Sequence, residues 1–190
     1  MKKIITVDGP AGSGKEKISK YIARKYKLYH LDSGILYRRL AYEIIKKNIK
    51  ASEINNIKNI LKNIKTLSLR KTKVLRMEKI GKTASEIAKL DFVRYFINAQ
   101  QKLATTRPNK KKGFVIDGRD IGSVVFKEAF LKLYIDVNVN IRAKRRYKQL
   151  IDNGEKSIYL KILKDIKLRD KTDKTRKNSP LVVPRGAKII

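Results

Sequence analysis

Residues 3–15 read KIITVDGPAGSGK, a β-branched apolar run that passes directly into a glycine-rich turn. The run over residues 3–7 has the length and composition of a buried strand. Gly9 to Lys15 match the pattern G-x-x-x-x-G-K, and apolar residues recur at helical spacing from Lys15 to Lys27. Glycines let successive backbone N–H groups turn inward, and the start of a helix adds partial positive charge. This strand, turn and helix therefore predict a phosphate-binding loop (P-loop).

The composition is that of a globular protein with a very basic surface. The 190 residues include 48 Lys+Arg and 17 Asp+Glu, a formal net charge of +31. Such an excess favours binding to polyanions, but here the lysines are scattered along the chain, which is typical of a solvated surface. There are no cysteines, which excludes disulfides and a cysteine nucleophile, and no apolar run has the length of a membrane span. We expect a cytoplasmic protein.

Further strands and helices alternate along the chain, which predicts a three-layer α/β fold with a parallel sheet flanked by helices. We expect a single domain over residues 1–190. The predicted strands after the first are residues 28–34, 113–117 and 131–137, and the predicted helices are residues 35–47, 52–64, 84–103, 140–151 and 157–174. Ser52 is a candidate N-cap, and alternating apolar positions over residues 66–80 predict a small hairpin.

The P-loop departs from its pattern after the lysine. We assign ATP binding to Gly9, Pro10, Ala11, Gly12, Ser13, Gly14, Lys15, Glu16 and Lys17, with Lys15 reaching the β- and γ-phosphates. Glu16 and Lys17 stand where a Ser or Thr usually supplies a hydroxyl near Mg²⁺. Magnesium must then rely on phosphate oxygens, water and a carboxylate, and we assign no direct protein ligand to it. Asp117, at the end of a predicted strand, is in the usual place for that carboxylate, or is a simple turn former.

Three further motifs carry groups suited to a phosphorylated acceptor. They are Asp32-Ser33-Gly34 with Tyr37-Arg38, then Asp117-Gly118-Arg119-Asp120, and last the helical string in which Arg169, Asp173 and Arg176 share one face. Phosphoryl transfer to a phosphate needs positioning and charge neutralisation, and a guanidinium bridges phosphate oxygens with two hydrogen bonds. The alternative for the last string is a solvated helix face with intrahelical ion pairs.

Four segments together resemble the signature segments of bacterial cytidylate kinases, in the same order. They are VDGPAGSGK (7–15), LDSGILYR (31–38), VIDGRDIGSVVF (115–126) and I-x-x-R-D-x-x-D-x-x-R-x-x-S-P-L (166–181). The resemblance covers essentially the whole chain. It implies a P-loop kinase fold with a small CMP-side insert near residues 66–90 and a helical lid near residues 152–168. It also implies that the last helix of the family is missing from this chain.

The resemblance implies an enzyme that transfers the γ-phosphate of ATP to CMP or dCMP. Ser33, Tyr37 and Arg38 would hold the phosphate side of the acceptor, and Ser85, Arg94 and Asp120 would read cytosine. The remaining assignments are Lys15, Asp117, Arg119 and Arg169 as catalytic residues, with Arg119, Arg169 and Arg176 neutralising phosphates or the base edge and Asp173 holding the ribose. Sequence reasoning from the residues alone interprets His30, the sole histidine, as structural.

Two alternatives stay open from the sequence. One is another small P-loop kinase, acting on UMP, a nucleoside or a cofactor precursor. The other is a basic nucleic-acid-binding protein with a vestigial P-loop, although the aromatic residues are not clustered with the basic runs. For the kinase we expect the small molecules CMP, dCMP and ATP as partners, no specific nucleic acid, no membrane and a monomer.

Overall fold

The computed structural model describes residues 3–106, 111–152 and 154–190. Its elements in chain order are β1 (Lys3–Asp8), α1 (Lys15–Lys25), β2 (Tyr29–Asp32), α2 (Gly34–Lys46), α3 (Ile54–Asn63), a 3₁₀ turn (Lys73–Arg76), α4 (Glu78–Ile87), α5 (Asp91–Thr106), β3 (Gly113–Gly118), a π-helical turn (Ile121–Val125), β4 (Leu131–Tyr134), α6 (Val139–Asp152), α7 (Tyr159–Thr175) and β5 (Lys188–Ile189).

The strands form one five-stranded sheet in the order β2-β3-β1-β4-β5. The pairs β1–β3, β1–β4 and β4–β5 are all parallel. In this register Asp8 at the end of β1 lies opposite Gly118 at the end of β3 and Tyr134 at the end of β4. The predicted α/β fold is therefore confirmed, and the P-loop after β1 and the DGRD segment at the end of β3 lie at the same edge of the sheet.

The chain divides into two compact units. The first holds the chain up to His30 and from Lys111 onwards, and the second holds the chain between them. In the first unit the apolar side chains of α1 pack on the sheet, where Val7, Val115 and Ile135 are almost fully buried. A smaller cluster joins α6 to α7. Buried strands with continuous apolar runs are what a parallel sheet covered by helices requires.

The second unit is helical and has its own core. The buried side chains come from α2, α3, α4, α5 and the 3₁₀ turn: Leu40, Ile44, Ile57, Leu75, Ile87, Val93 and Ile97 are fully buried. The segment between α3 and the 3₁₀ turn is held by the amide of Gln100, which accepts from Leu67 N at 2.9 Å and donates to Lys65 O at 3.1 Å. One amide thus replaces the hydrogen bonds that a strand partner would supply.

Three local predictions are wrong. Residues 66–80 form an irregular segment, the 3₁₀ turn and the start of α4, and contain no hairpin. The helix predicted over residues 84–103 is two helices, which break at Ala88–Leu90. Ser52 does not cap α3, because the capping position is Glu53, whose carboxylate accepts from Lys50 N at 2.7 Å.

The lid near residues 152–168, the insert near residues 66–90 and the single-domain organisation stay predictions. No helix in the described ranges is both long and apolar enough to span a bilayer.

Candidate active site

The P-loop of the first unit has the backbone that its glycines predict. It connects β1 to α1, and Gly12 and Gly14 have φ values of 73° and 89°. Gly14 is the residue before α1 and its carbonyl accepts from Lys17 N at 2.9 Å, so the helix begins at Lys15. Glycine adopts positive φ without steric penalty, and this conformation turns the loop so that the following amides start the helix. The loop therefore presents backbone N–H groups at a helix N-terminus, which suits a phosphate.

Lys15 lies among charged groups from segments far apart in the sequence. Its Nζ donates to Pro10 O at 2.9 Å. Burial lowers the pKa of the ammonium well below its usual value, and the guanidiniums of Arg119 and Arg169 lower it further. The carboxylates of Asp117 and Asp8 act in the opposite direction. Charged groups at the ends of β1 and β3 and on α7 thus act electrostatically on the P-loop lysine.

Asp8 is a residue of this site that sequence reasoning missed. It is fully buried at the end of β1, and its two carboxylate oxygens accept from Ile121 N at 2.8 Å and Gly122 N at 2.7 Å. Burial raises its pKa from 3.8 to about 6, with Asp120 adding to the rise, while the two backbone N–H groups and Lys15 oppose it. Asp8 therefore fixes the turn that follows Asp120 against β1.

Asp173 joins two of the predicted arginines. Its Oδ2 accepts from Arg119 Nε at 3.2 Å and its Oδ1 from Arg176 Nη1 at 3.3 Å, and the residue is buried. The helical explanation for Arg176 is wrong, because α7 ends at Thr175 and Arg176 has extended backbone (φ −63°, ψ 141°). A hydrogen bond from Arg176 Nε to Ser179 O, at 2.6 Å, helps to hold the guanidinium beside Asp173. Arg169, on α7, is exposed.

Two buried carboxylates lie at and just after the end of β3. Asp117 and Asp120 are each 4% exposed. Asp120 precedes the π-helical turn, and its carbonyl accepts from Val124 N at 2.9 Å. His30 Nε2 lies 3.5 Å from Asp117 Oδ1, so the histidine borders the predicted site.

The residues present fit ATP and a magnesium ion. Within the described ranges, Asp117 Oδ1 is buried and accepts no hydrogen bond, and no group of three or more acidic or histidine side chains is arranged to hold a metal. A single carboxylate oxygen together with phosphate oxygens and water is a common way to bind Mg²⁺. The P-loop and Lys15 suit the phosphate chain.

Glu16 and Lys17 do not pair with each other. Glu16 Oε1 forms an ion pair with Lys20 Nζ at 2.8 Å on the partly exposed side of α1, and Lys17 is exposed. This i, i+4 pair and the helix N-terminus both favour the ionised carboxylate at position 16.

The second unit contains the other predicted residues: Ser33, Tyr37, Arg38, Ser85 and Arg94. Ser33 is buried directly before α2, and Ser85 is half-buried on α4. Arg94, 4% exposed, donates to Ala88 O at 3.0 Å, and its guanidinium carbon lies 5.8 Å from the centre of the Tyr37 ring.

Arg38 Nη1 donates to Leu75 O at 2.7 Å, which holds the arginine against the 3₁₀ turn. Within this unit the structure therefore brings Tyr37 and Arg94 together and anchors Arg38.

Comparison with known proteins identifies the family. A family profile described as cytidylate kinase matches residues 5–190. The cytidylate kinase of Bartonella bacilliformis is 38% identical over 191 residues, covering 98% of this chain and 85% of that protein. That of Caldicellulosiruptor saccharolyticus is 37% identical over 205 residues (100% and 88% covered), and that of Rickettsia akari is 42% identical over 187 residues (98% and 82% covered). The chain therefore belongs to the cytidylate kinase family.

Proposed function

We propose that the protein transfers the γ-phosphate of ATP to CMP or dCMP, giving ADP and CDP or dCDP. Besides the family, one observation supports this proposal. The carboxylates and guanidiniums at the ends of β1 and β3 and on α7 interact electrostatically with the P-loop lysine. A phosphate-binding lysine with two arginines beside it suits a reaction in which negative charge is transferred between two phosphates.

ATP would bind through the P-loop, from Gly9 to Lys17. The backbone N–H groups would receive the phosphate chain, and Lys15 would exchange its hydrogen bond to Pro10 O for phosphate oxygens. When bound, Mg²⁺ would neutralise phosphate oxygens, and Asp117 is the carboxylate that we assign to hold it or its water. Burial lowers the pKa of Lys15, and bound phosphate oxygens would oppose this shift by favouring the charged ammonium.

The arginines would supply the charge that the transferring phosphoryl group needs. Arg119 and Arg176 are aligned by the carboxylate of Asp173, and Arg169 contributes to the field at Lys15. Guanidiniums held in place before the reaction stabilise developing charge without reorganising. We assign the ribose of the acceptor to Asp173 on the resemblance alone.

The acceptor nucleotide is assigned to residues of this chain by the resemblance. We assign its phosphate side to Ser33, Tyr37 and Arg38, and its cytosine to Ser85, Arg94 and Asp120. A buried carboxylate accepting from the amino group of cytosine discriminates against uracil, which has a carbonyl at that position. Support comes from the burial of Arg94 and Asp120, since a mismatched hydrogen bond at a buried polar group is costly and so rejects the wrong base.

A coupled assay of ADP formation with ATP, Mg²⁺ and each of CMP, dCMP, UMP and AMP tests this function. We expect turnover with CMP and dCMP, and CDP as the identified product from CMP. Turnover confined to UMP or to a nucleoside would favour another small P-loop kinase. Absence of turnover with every acceptor, together with salt-dependent RNA binding, would favour the nucleic-acid-binding alternative.

A further inference from the structure

Arg142 on α6 is a buried arginine outside the site assigned above. It is 4% exposed, and its guanidinium contacts three separate segments. Nε donates to Val137 O at 2.8 Å, just before α6, and Nη1 donates to Ala11 O in the P-loop at 3.0 Å. Nη1 and Nη2 donate to the two carboxylate oxygens of Asp170 on α7 at 3.0 and 2.5 Å. Four of the five N–H groups of the guanidinium are therefore used within the protein.

The contact with Ala11 fixes the orientation of one peptide of the P-loop. In a trans peptide the C=O of Ala11 and the N–H of Gly12 point in opposite directions. Because Arg142 binds this carbonyl, the N–H of Gly12 is directed away from Arg142. Gly12 has φ 73°. Because glycine adopts positive and negative φ about equally well, the sequence of the loop alone does not fix the orientation of this peptide.

The contact with Asp170 connects Arg142 to α7, the helix that carries Arg169. Asp170 follows Arg169, one of the guanidiniums that affect the pKa of Lys15. The pair is bidentate and largely buried, with the Arg142 side chain 5% and the Asp170 side chain 14% exposed. A bidentate guanidinium–carboxylate pair fixes direction as well as distance, and a buried pair tolerates loss of one partner poorly.

We propose that Arg142 is a positioning residue that couples the P-loop to the part of α7 that carries Arg169. It holds the Ala11–Gly12 peptide in the orientation that binds phosphate, and it holds Arg169 in register with that peptide. Arg142 acts through its contacts with Ala11 and Asp170. The inference rests on the proposed function and extends it, since the reaction then depends on Arg142, which acts through the P-loop peptide and through Asp170.

The test compares Arg142→Lys and Asp170→Asn with the parent and with Arg146→Lys. Lysine keeps the charge but cannot contact both Ala11 O and the two oxygens of Asp170. Arg146 lies on the same helix and donates to Gln149 Oε1 at 3.0 Å, so its replacement controls for the Arg-to-Lys change. Each protein is assayed for kcat and KM with ATP and CMP, for the Kd of ATP by calorimetry without acceptor, and for thermal unfolding.

We expect Arg142→Lys to weaken ATP binding about tenfold and to lower kcat about 100-fold, because small misplacements of catalytic groups have effects of this order. The KM for CMP should change less than the Kd of ATP, since Arg142 contacts the P-loop directly and reaches Arg169 only through Asp170. Arg146→Lys should match the parent. The double variant of Arg142 and Asp170 should be no worse than the more damaging single variant, because the two residues act as one unit.

A folded Arg142→Lys protein with parental ATP affinity and kcat would overturn the proposal, as would a loss confined to thermal stability. If Arg142→Lys does not fold, Asp170→Asn decides by the same criteria, because asparagine keeps the shape of the aspartate. Failure of the parent to phosphorylate CMP would instead refute the proposed function. Calorimetry of ATP would still report on the coupling in that case.

Discussion

Asp8 gives the stability of the protein a pH dependence whose direction follows from its burial. The side chain is fully buried, and its pKa is raised from 3.8 to about 6 chiefly because burial disfavours the charged carboxylate. Between these two values the native state keeps the proton that the unfolded chain has lost. The stabilisation is therefore fully present below about pH 4 and is lost as the pH rises through about 6.

The size follows from the same change in pKa. One pKa unit corresponds to about 1.4 kcal/mol, so ionised Asp8 lowers the free energy of unfolding at neutral pH by roughly 3 kcal/mol relative to the protonated form. The ionised carboxylate accepts two backbone hydrogen bonds, from Ile121 N and Gly122 N, which offset part of the cost of burying its charge. These two hydrogen bonds also hold the turn after Asp120 in place.

Urea unfolding between pH 4 and 7.5, followed by circular dichroism, measures the effect. The free energy of unfolding of Asp8→Asn is subtracted from that of the parent at each pH, and Asp165→Asn, at an exposed position on α7, controls for loss of one negative charge. The difference between parent and Asp8→Asn should fall by about 3 kcal/mol as the pH rises through 6. A difference that stays constant, or increases with pH, would refute the reasoning.

Three further outcomes follow from contacts at the site. Gly122→Ala should destabilise the protein by about 1–3 kcal/mol and lower its melting temperature, because the added Cβ would lie 2.6 Å from Thr6 Oγ1; an unchanged melting temperature would show that the turn moves freely. Arg169→Ala should lower kcat/KM by a factor that corresponds to about 2–4 kcal/mol of lost transition-state stabilisation, and Arg169→Lys should recover only part of this loss. Near-normal turnover of the alanine variant would instead place this arginine on a solvated helix face. Combining Glu16→Gly with Lys17→Thr should lower the Mg²⁺ concentration that gives half-maximal rate, because a hydroxyl near Mg²⁺ replaces a charged side chain; identical Mg²⁺ titrations would exclude a role for both side chains.

The elements that sequence predicts well are those with a strong local signal. The P-loop is specified by its own glycines, the buried strand β1 by a β-branched run and the buried strand β3 by the apolar run Phe-Val-Ile. Residues 66–80 lack such a signal. The helical spacing of Ile80, Ala84 and Ile87, all buried, begins inside the region predicted as a hairpin, so a short alternating run was ambiguous between two periods.

Parts of the candidate site could not be predicted because they depend on contacts between distant residues. Asp8 meets Gly122 across 114 positions, and Arg142 meets Ala11 across 131. Nothing near either residue in sequence indicates its partner. For Arg176, the sequence predicted the right neighbour, Asp173, for the wrong reason. The prediction assumed a helix through residue 176, whereas α7 ends at Thr175.

The ratio of kcat/KM for CMP to that for UMP tests the central claim most directly. It is measured with ATP and Mg²⁺ for the parent and for Asp120→Ala, whose carboxylate we assign to the amino group of cytosine. We expect the parent to prefer CMP by about 100-fold or more, as sites built to hydrogen-bond a substrate group do, and the variant to lose most of that preference. Equal use of CMP and UMP by the parent would contradict the account.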